Sequence, residues 1–319
     1  MGVKSPDLNL ETCEGGERMQ PILMWGLGVV EAVQKFFGPG ALVPMQIISL
    51  LGSEYLVLAA LPLLYWCVDH KKGAKIGVIV ILSGFLNSWL KVLFMQPRPY
   101  DLRPELGLAR ETSPGLPSGH SQNSVTFWGA MLDVLPKALG WTLAIAVPLL
   151  VGVSRLYLGV HFPTDVFAGW AIGALIVFVA HISDQKLSGL WDKLEMRFQL
   201  IITAIIAIIM NFLLPSDTLL SGVFFGSVAG FVLAAKKLKF EVEGTAVQKV
   251  LRYLVGLATS ALIYLLPKLV LGDELASGDA LVRFVRYALL GIWISYGAPW
   301  LFVRTKLMRL AEDKATTLN

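Results

Sequence analysis

The chain has 319 residues, 55% of them hydrophobic and only 16% charged, with a mean hydropathy of +0.65. A soluble domain carries about 25% charged residues, so this composition excludes an ordinary cytosolic enzyme, a disordered chain and a nucleic-acid module. The net charge of +4 says little about partners, because in a membrane protein it is the placement of basic residues that carries information.

Residues 1–20 are mostly polar, with Glu11, Glu14 and Glu17, and hold no apolar stretch that would predict a cleavable signal peptide. Residues 36–53 are apolar but contain Pro39, Pro44 and Gly52, which predicts an interfacial or re-entrant segment. Long runs almost free of charge follow at 55–68, 76–90, 119–135, 138–154, 166–180, 198–214, 218–235, 253–267 and 287–303. The run at 119–135 is weaker, because it holds His120 and Asp133. With their flanks these runs approach the roughly 20 residues that a spanning helix needs. The reading is an all-α polytopic membrane bundle of about nine spanning helices. Residues 1–50 form a polar tail and interfacial segment, 51–183 a core, and 184–319 additional membrane helices. Cys13 and Cys67 suggest neither a disulfide framework nor a zinc site.

Alternate connections are basic. They hold Lys71, Lys72 and Lys75; Lys137; Lys186, Lys193 and Arg197; Lys236, Lys237, Lys239, Lys249 and Arg252; and, in the C-terminal tail, Arg304, Lys306, Arg309 and Lys314. The intervening loops hold Arg103, Arg110, Lys268, Arg283 and Arg286, with Lys4, Arg18 and Lys35 before the first span. The positive-inside rule places the basic set in the cytoplasm. The loops at 96–119 and 158–164 then face the periplasm or a lumen. The expected location is a bacterial inner membrane, with the endoplasmic reticulum as the alternative.

Charges in or beside membrane helices are costly and mark function by default. Three clusters fall at that one face: Lys91, Arg98 and Pro99; Pro117, Ser118, Gly119 and His120; and Ser154, Arg155, His161 and Asp165. Three cations suit a dianionic phosphate, with Arg supplying a planar fork and Lys a point charge. Gly119 permits close backbone approach, and a helix starting at His120 offers free N–H groups to an anion. Two histidines can divide nucleophilic and proton-donating roles. Asp165, four residues after His161, can fix the imidazole if a helix starts near Pro163.

These motifs, K-x6-R-P, P-S-G-H and S-R-x5-H-x3-D, together resemble the signature of the type 2 phosphatidic acid phosphatase superfamily. The resemblance covers about residues 50–182. It implies a metal-independent phosphatase without cofactors, acting on a lipid phosphate or diphosphate in the bilayer. By that resemblance His161 is the nucleophile and forms a phosphohistidine, Asp165 holds it, and His120 protonates the leaving oxygen. Lys91, Arg98, Ser118, Gly119 and Arg155 would bind the phosphate. Two other readings stand beside this one: a phosphotransferase onto a lipid hydroxyl, and a transporter or flippase whose later helices form a pathway. No nucleic-acid partner is expected, and the oligomeric state does not follow from the sequence.

Other polar or aromatic residues have plainer readings. Trp25, Trp66, Trp141 and Trp300 fit an aromatic belt. Glu54 reads as a solvated interfacial carboxylate sooner than as a partner for a cation. Arg103 and Arg110 fit a solvated loop as well as a substrate headgroup contact.

Overall fold

A computed structural model describes residues 16–215, 217–271 and 279–311, so the expectation about a signal peptide and the position of Cys13 lie outside the described residues. The chain is a helical membrane bundle. Its helices are α1 (Gly16–Phe37), α2 (Leu42–Leu50), α3 (Glu54–Leu63), α4 (His70–Phe94), the short α5 (Pro99–Leu102), α6 (Gly119–Ala130), α7 (Lys137–Tyr157) and α8 (Pro163–Lys193). There follow α9 (Met196–Leu213), α10 (Leu219–Leu233), α11 (Ala246–Leu271), α12 (Ala280–Ile292) and α13 (Ala298–Arg304). The strands β1 (Phe240–Glu241) and β2 (Arg309–Leu310) pair antiparallel.

The outer surface is apolar and the interior partly polar, the reverse of a soluble domain. Leu175, Phe178, Val179 and Ile182 of α8 and Ile201, Ile205, Ile208 and Phe212 of α9 are exposed, whereas Ser83, Gln122, Ser124 and Thr126 are buried. This arrangement suits a hydrocarbon solvent, in which polar groups must find partners inside the protein. The Gln122 amide donates to Ser83 O at 2.8 Å and Ser83 Oγ at 2.9 Å, and the Asn87 amide donates to Gln122 Oε1 at 2.9 Å. These bonds tie α4 to α6.

Among the described residues six helices are long and apolar enough to cross a membrane, or seven if residues 39–50 and 54–68, bent by 41°, act as one span. The nine runs expected from the sequence include two more, near residues 127 and 294. α6 has 12 residues, about 18 Å of helix, where the hydrocarbon core is roughly 30 Å thick. α12 carries Arg283 and Arg286 and passes into a π turn at Trp293–Gly297. Even so, α6 with its 3-10 extension Met131–Asp133 reaches from the His120 end of the bundle to the basic end. There Lys75 of α4 pairs with Asp133 at 2.8 Å and with Asp184 of α8 at 3.0 Å.

Residues 36–53 are broken twice. Gly38 has φ +67 ahead of Pro39, and the chain turns again through Leu51–Ser53 before Ser53 caps α3. α1, within the stretch read as a polar tail, packs Leu27 and Val30 into a buried cluster with Leu106 and Phe162. Trp66 differs from its aromatic-belt reading: it is fully buried, and its indole donates to Ile294 O at 2.8 Å. An apolar ring with one donor suits a helix junction that offers a free carbonyl as well as it suits a membrane interface. Trp25, Trp141 and Trp300 are exposed.

Close helix approach sets the position of the site. A Cβ on Gly169 would lie 2.6 Å from Ser118 O, and one on Gly173 2.8 Å from Gln122 O. These two glycines, four residues apart on one face of α8, let α6 lie directly against it. The start of α6 is thereby held beside the start of α8.

Candidate active site

Local sequence ends each helix at the site. α4 stops at Met95, which takes a left-handed conformation with φ 47, and the following Gln96-Pro97-Arg98-Pro99 cannot continue a helix. Arg98 is extended (ψ 163), and its N–H donates to Asp101 Oδ2 at 2.7 Å. α7 ends after Tyr157, and Gly159 turns the chain with φ +68 against Leu106. His161 follows, then α8 begins at Pro163, a favoured first helical residue. Asp165 occupies the third helical position, where its Oδ2 accepts the Phe162 N–H at 2.9 Å. One carboxylate therefore caps the helix and faces the histidine.

The His161 ring is fully buried between two partners. Its Nδ1 lies 3.2 Å from Asp165 Oδ2, and its Nε2 lies 3.2 Å from Arg98 Nη1. A carboxylate at Nδ1 favours the tautomer that carries its proton there, which leaves the Nε2 lone pair facing the cations. Burial, and after it the charges of Arg98, Arg155, Lys91 and His120, hold the His161 pKa well below its ordinary value. The ring is neutral at pH 7, as a nucleophile requires. Asp165 is itself fixed by the Gln96 amide, which donates to Oδ1 at 2.5 Å.

The cations converge on the same end of the bundle. Arg98 is 2% exposed and donates to Ser113 O and Val160 O, each at 2.7 Å, to Pro114 O at 3.1 Å and to Glu111 Oε2 at 2.9 Å. Arg155 donates to Ser49 Oγ at 2.7 Å and to Glu111 Oε1, and its buried Nε has no partner. Lys91 donates to Pro114 O, and to Gly115 O at 3.4 Å. His120, a quarter exposed, opens α6 with Nδ1 3.9 Å from Glu111 Oε1.

Ser118 and Gly119 lie at the start of α6. The Ser118 hydroxyl is buried and accepts from Ser121 N at 3.4 Å and Ser121 Oγ at 3.0 Å, and the Ser118 N–H donates to Asp165 O at 3.0 Å. That last bond locks the His120 loop to the His161 helix. Gly119 lies against Asn87, where a Cβ would approach Oδ1 to 3.2 Å.

Sequence reasoning missed Glu111, Gln96 and Ser49. Glu111 lies outside every motif, and its only signal was a carboxylate in a loop already rich in arginine. Ser49 lies in the segment read as re-entrant. Three other residues stay outside the cluster. Glu54 is exposed in the first turn of α3, Arg103 pairs with Glu31 at 3.2 Å, and Arg110 stacks on the Tyr100 ring at 4.4 Å. Among the described residues, no group of three or more His, Cys, Asp and Glu side chains is arranged to hold a metal ion.

Comparison with known proteins finds relatives of this chain. Residues 72–189 match the PAP2 superfamily, and residues 218–311 match the transmembrane extension of PAP2 superfamily phosphatases. The chain is 37% identical over 130 residues to phosphatidylglycerophosphatase B of Bacillus subtilis, covering 37% of this chain and 62% of that one. It is 34% identical over 142 residues to undecaprenyl-diphosphatase of Sulfolobus acidocaldarius, covering 43% of this chain and 67% of that one. A crystal structure of a transmembrane PAP2 type phosphatidylglycerolphosphate phosphatase from Bacillus subtilis aligns with a TM-score of 0.47 at 26% identity, over 52% of this chain and 87% of that one. The chain thus spans less than two thirds of the first of these relatives. With three motifs drawn together at one end of a helical bundle and both segments matched, the chain belongs to the PAP2 superfamily.

Proposed function

We propose that this protein is an integral membrane phosphatase that hydrolyses a lipid phosphate or lipid diphosphate through a phosphohistidine on His161. The observation that carries this reading is the His161 ring, held by Asp165 at Nδ1 and turned toward Arg98 at Nε2. The relatives named for phosphatidylglycerophosphate and undecaprenyl diphosphate support a lipid substrate. A site at the end of a membrane bundle lets the substrate keep its tail in the bilayer.

The proposed chemistry has two steps. The Nε2 lone pair of His161 attacks phosphorus, the bond from phosphorus to the leaving oxygen breaks, and His120 gives that oxygen its proton. Water then attacks the phosphohistidine and passes a proton to His120, and the N–P bond breaks to release inorganic phosphate. The incoming dianion brings the negative charge that favours a protonated His120. Lys91, Arg98, Arg155 and the Ser118–Gly119 turn would stabilise the charge on the transferring group. The chemistry needs no divalent metal, because cations of the chain fill that role. Residues 51–183 would form the catalytic core.

A phosphate-release panel over lipid monophosphates, lipid diphosphates and sugar phosphates, run in a chelator, tests this reading. Release from a lipid substrate is expected. Sugar phosphates as the sole substrates would overturn the lipid assignment, and activity restored only by Mg²⁺ would overturn metal independence.

The site is expected to face the periplasm, cell exterior or lumen, because the Lys75 end of the bundle carries the basic loops. A cysteine at Arg110 should then react with an impermeant thiol reagent in intact cells, in a background lacking Cys13 and Cys67, and one at Lys237 only after permeabilisation. The reverse pattern would mean a cytoplasmic site.

A further inference from the structure

The arginines assigned to phosphate are not free. Arg98 Nη2 and Arg155 Nη2 both donate to one carboxylate, Glu111, each to a different oxygen. The loop that carries Glu111 also supplies the carbonyls of Ser113, Pro114 and Gly115 that hold Arg98 and Lys91. Tyr100 anchors the Glu111 backbone, accepting its N–H at 3.2 Å and donating to its carbonyl at 2.8 Å. The loop is thus a built element, and its carboxylate stands among Arg98, Arg155 and His120.

We infer that Glu111 is the resident anion of the phosphate site and a selectivity residue: it gives way to a phosphate with two negative charges and holds its place against a phosphate with one. This rests on the functional reading above and deepens it. Two forked guanidiniums that grip two carboxylate oxygens present the same pair of N–H donors to two oxygens of a phosphate. The Arg155 Nε, buried without a partner, is a further donor for a tetrahedral anion that a planar carboxylate leaves unused.

Charge decides the exchange. A phosphate monoester or terminal diphosphate approaches two negative charges at neutral pH, with a second pKa of about 6. The phosphodiesters that make up most membrane phospholipid carry one. Exchanging a carboxylate for a diester gains no charge against the cations, whereas exchanging it for a monoester gains about one. A site embedded in phospholipid needs that discrimination, because diester headgroups surround it at far higher density than any substrate.

The test compares wild type with Glu111→Gln and Glu111→Ala. Inorganic phosphate and dimethyl phosphate, a soluble diester, are used as inhibitors of lipid-monophosphate hydrolysis at pH 7.5. A carboxylate seated nine-tenths of the time lowers apparent affinity for a competitor about tenfold. Both variants should therefore bind inorganic phosphate about tenfold more tightly, and both should become sensitive to dimethyl phosphate at concentrations that leave wild type active. Inhibition constants that are unchanged or weaker in both variants overturn the inference. So does a fall in kcat with unchanged inhibition, which would make Glu111 a positioning residue for His120. A wild type that releases phosphate from no lipid and binds no inorganic phosphate would instead defeat the functional reading, and this inference with it.

Discussion

The core around α4, α6 and α8 and the extension around α10, α11 and α12 use one packing device for different ends. In each, glycines four residues apart bring two backbones together. Gly169 and Gly173 seat α8 on α6. In the extension, a Cβ on Gly222 would lie 2.6 Å from Phe284 O, and one on Gly226 would run into the Ala288 carbonyl. The interiors differ. The core buries Asn87, Gln122, Lys91, Arg98, Arg155, His161 and Asp165, and most of these gather at one end. The extension buries Arg286, which lies over the rings of Tyr264 and Tyr287, and Arg252, which spends its donors on the carbonyls of Leu307, Trp66, Val242 and Glu243. A guanidinium closed off by four carbonyls joins chain segments and leaves little for a ligand, whereas core cations that meet a displaceable carboxylate can accept one. The extension also clasps the core, since the Tyr65 hydroxyl donates to Ser295 O at 2.7 Å and the Trp66 indole to Ile294 O.

The sharpest way to break this contrast is to remove His161, the proposed nucleophile. His161→Ala should lower phosphate release by at least about four orders of magnitude and leave no acid-labile phosphoenzyme, because the groups of a catalytic unit fail together. In wild type, the acid limb of kcat/KM should lie below the ordinary histidine value of 6.5, since burial and the neighbouring cations keep the ring neutral. A labelled His161→Ala protein, or an acid limb at or above that value, would separate the ring from the chemistry.

A paired substitution sharpens the comparison. Gly169→Leu and Gly226→Leu each force a side chain against a facing backbone, and overpacking of this kind costs about 1–3 kcal/mol or more. Both should lower the melting temperature in detergent. Only Gly169→Leu should also lower kcat in the folded protein, because Ser118 and Ser121, on either side of His120 in the chain, lie against Gly169. Equal losses of kcat would show that the extension shapes the site.

The smallest effect is expected at the opposite end. Lys75→Ala removes pairs with Asp133 and Asp184 that are a quarter to nearly half exposed. Exposed pairs contribute about 0.2–1 kcal/mol, so melting should shift slightly and phosphate release hardly at all. A large loss of activity would mean that the far ends of α4, α6 and α8 set the geometry of the site.

Much of this was legible along the chain. Uncharged runs near 20 residues announce membrane helices, because hydrocarbon tolerates little else. His161 and Asp165 are four apart beside Pro163, which is enough to place a carboxylate against an imidazole at a helix start. The length of α6 was less legible, because its polar interior face, Gln122, Ser124 and Thr126, blurs the hydropathy by which spans are recognised. Trp66 was read as interfacial because a lone tryptophan looks the same in sequence at a bilayer edge and at a helix junction.

The sequence by itself determined the solvent, the helical class and the short spacings of the residues proposed to hold and attack a phosphate, since these follow from local composition. Only the tertiary structure decided which groups meet. Glu111 is 13 residues from Arg98 and 44 from Arg155 along the chain, and Ser49 is 106 from Arg155. Contacts at such separations depend on helix packing, here on two glycines of α8 that let α6 approach, and no local pattern encodes them.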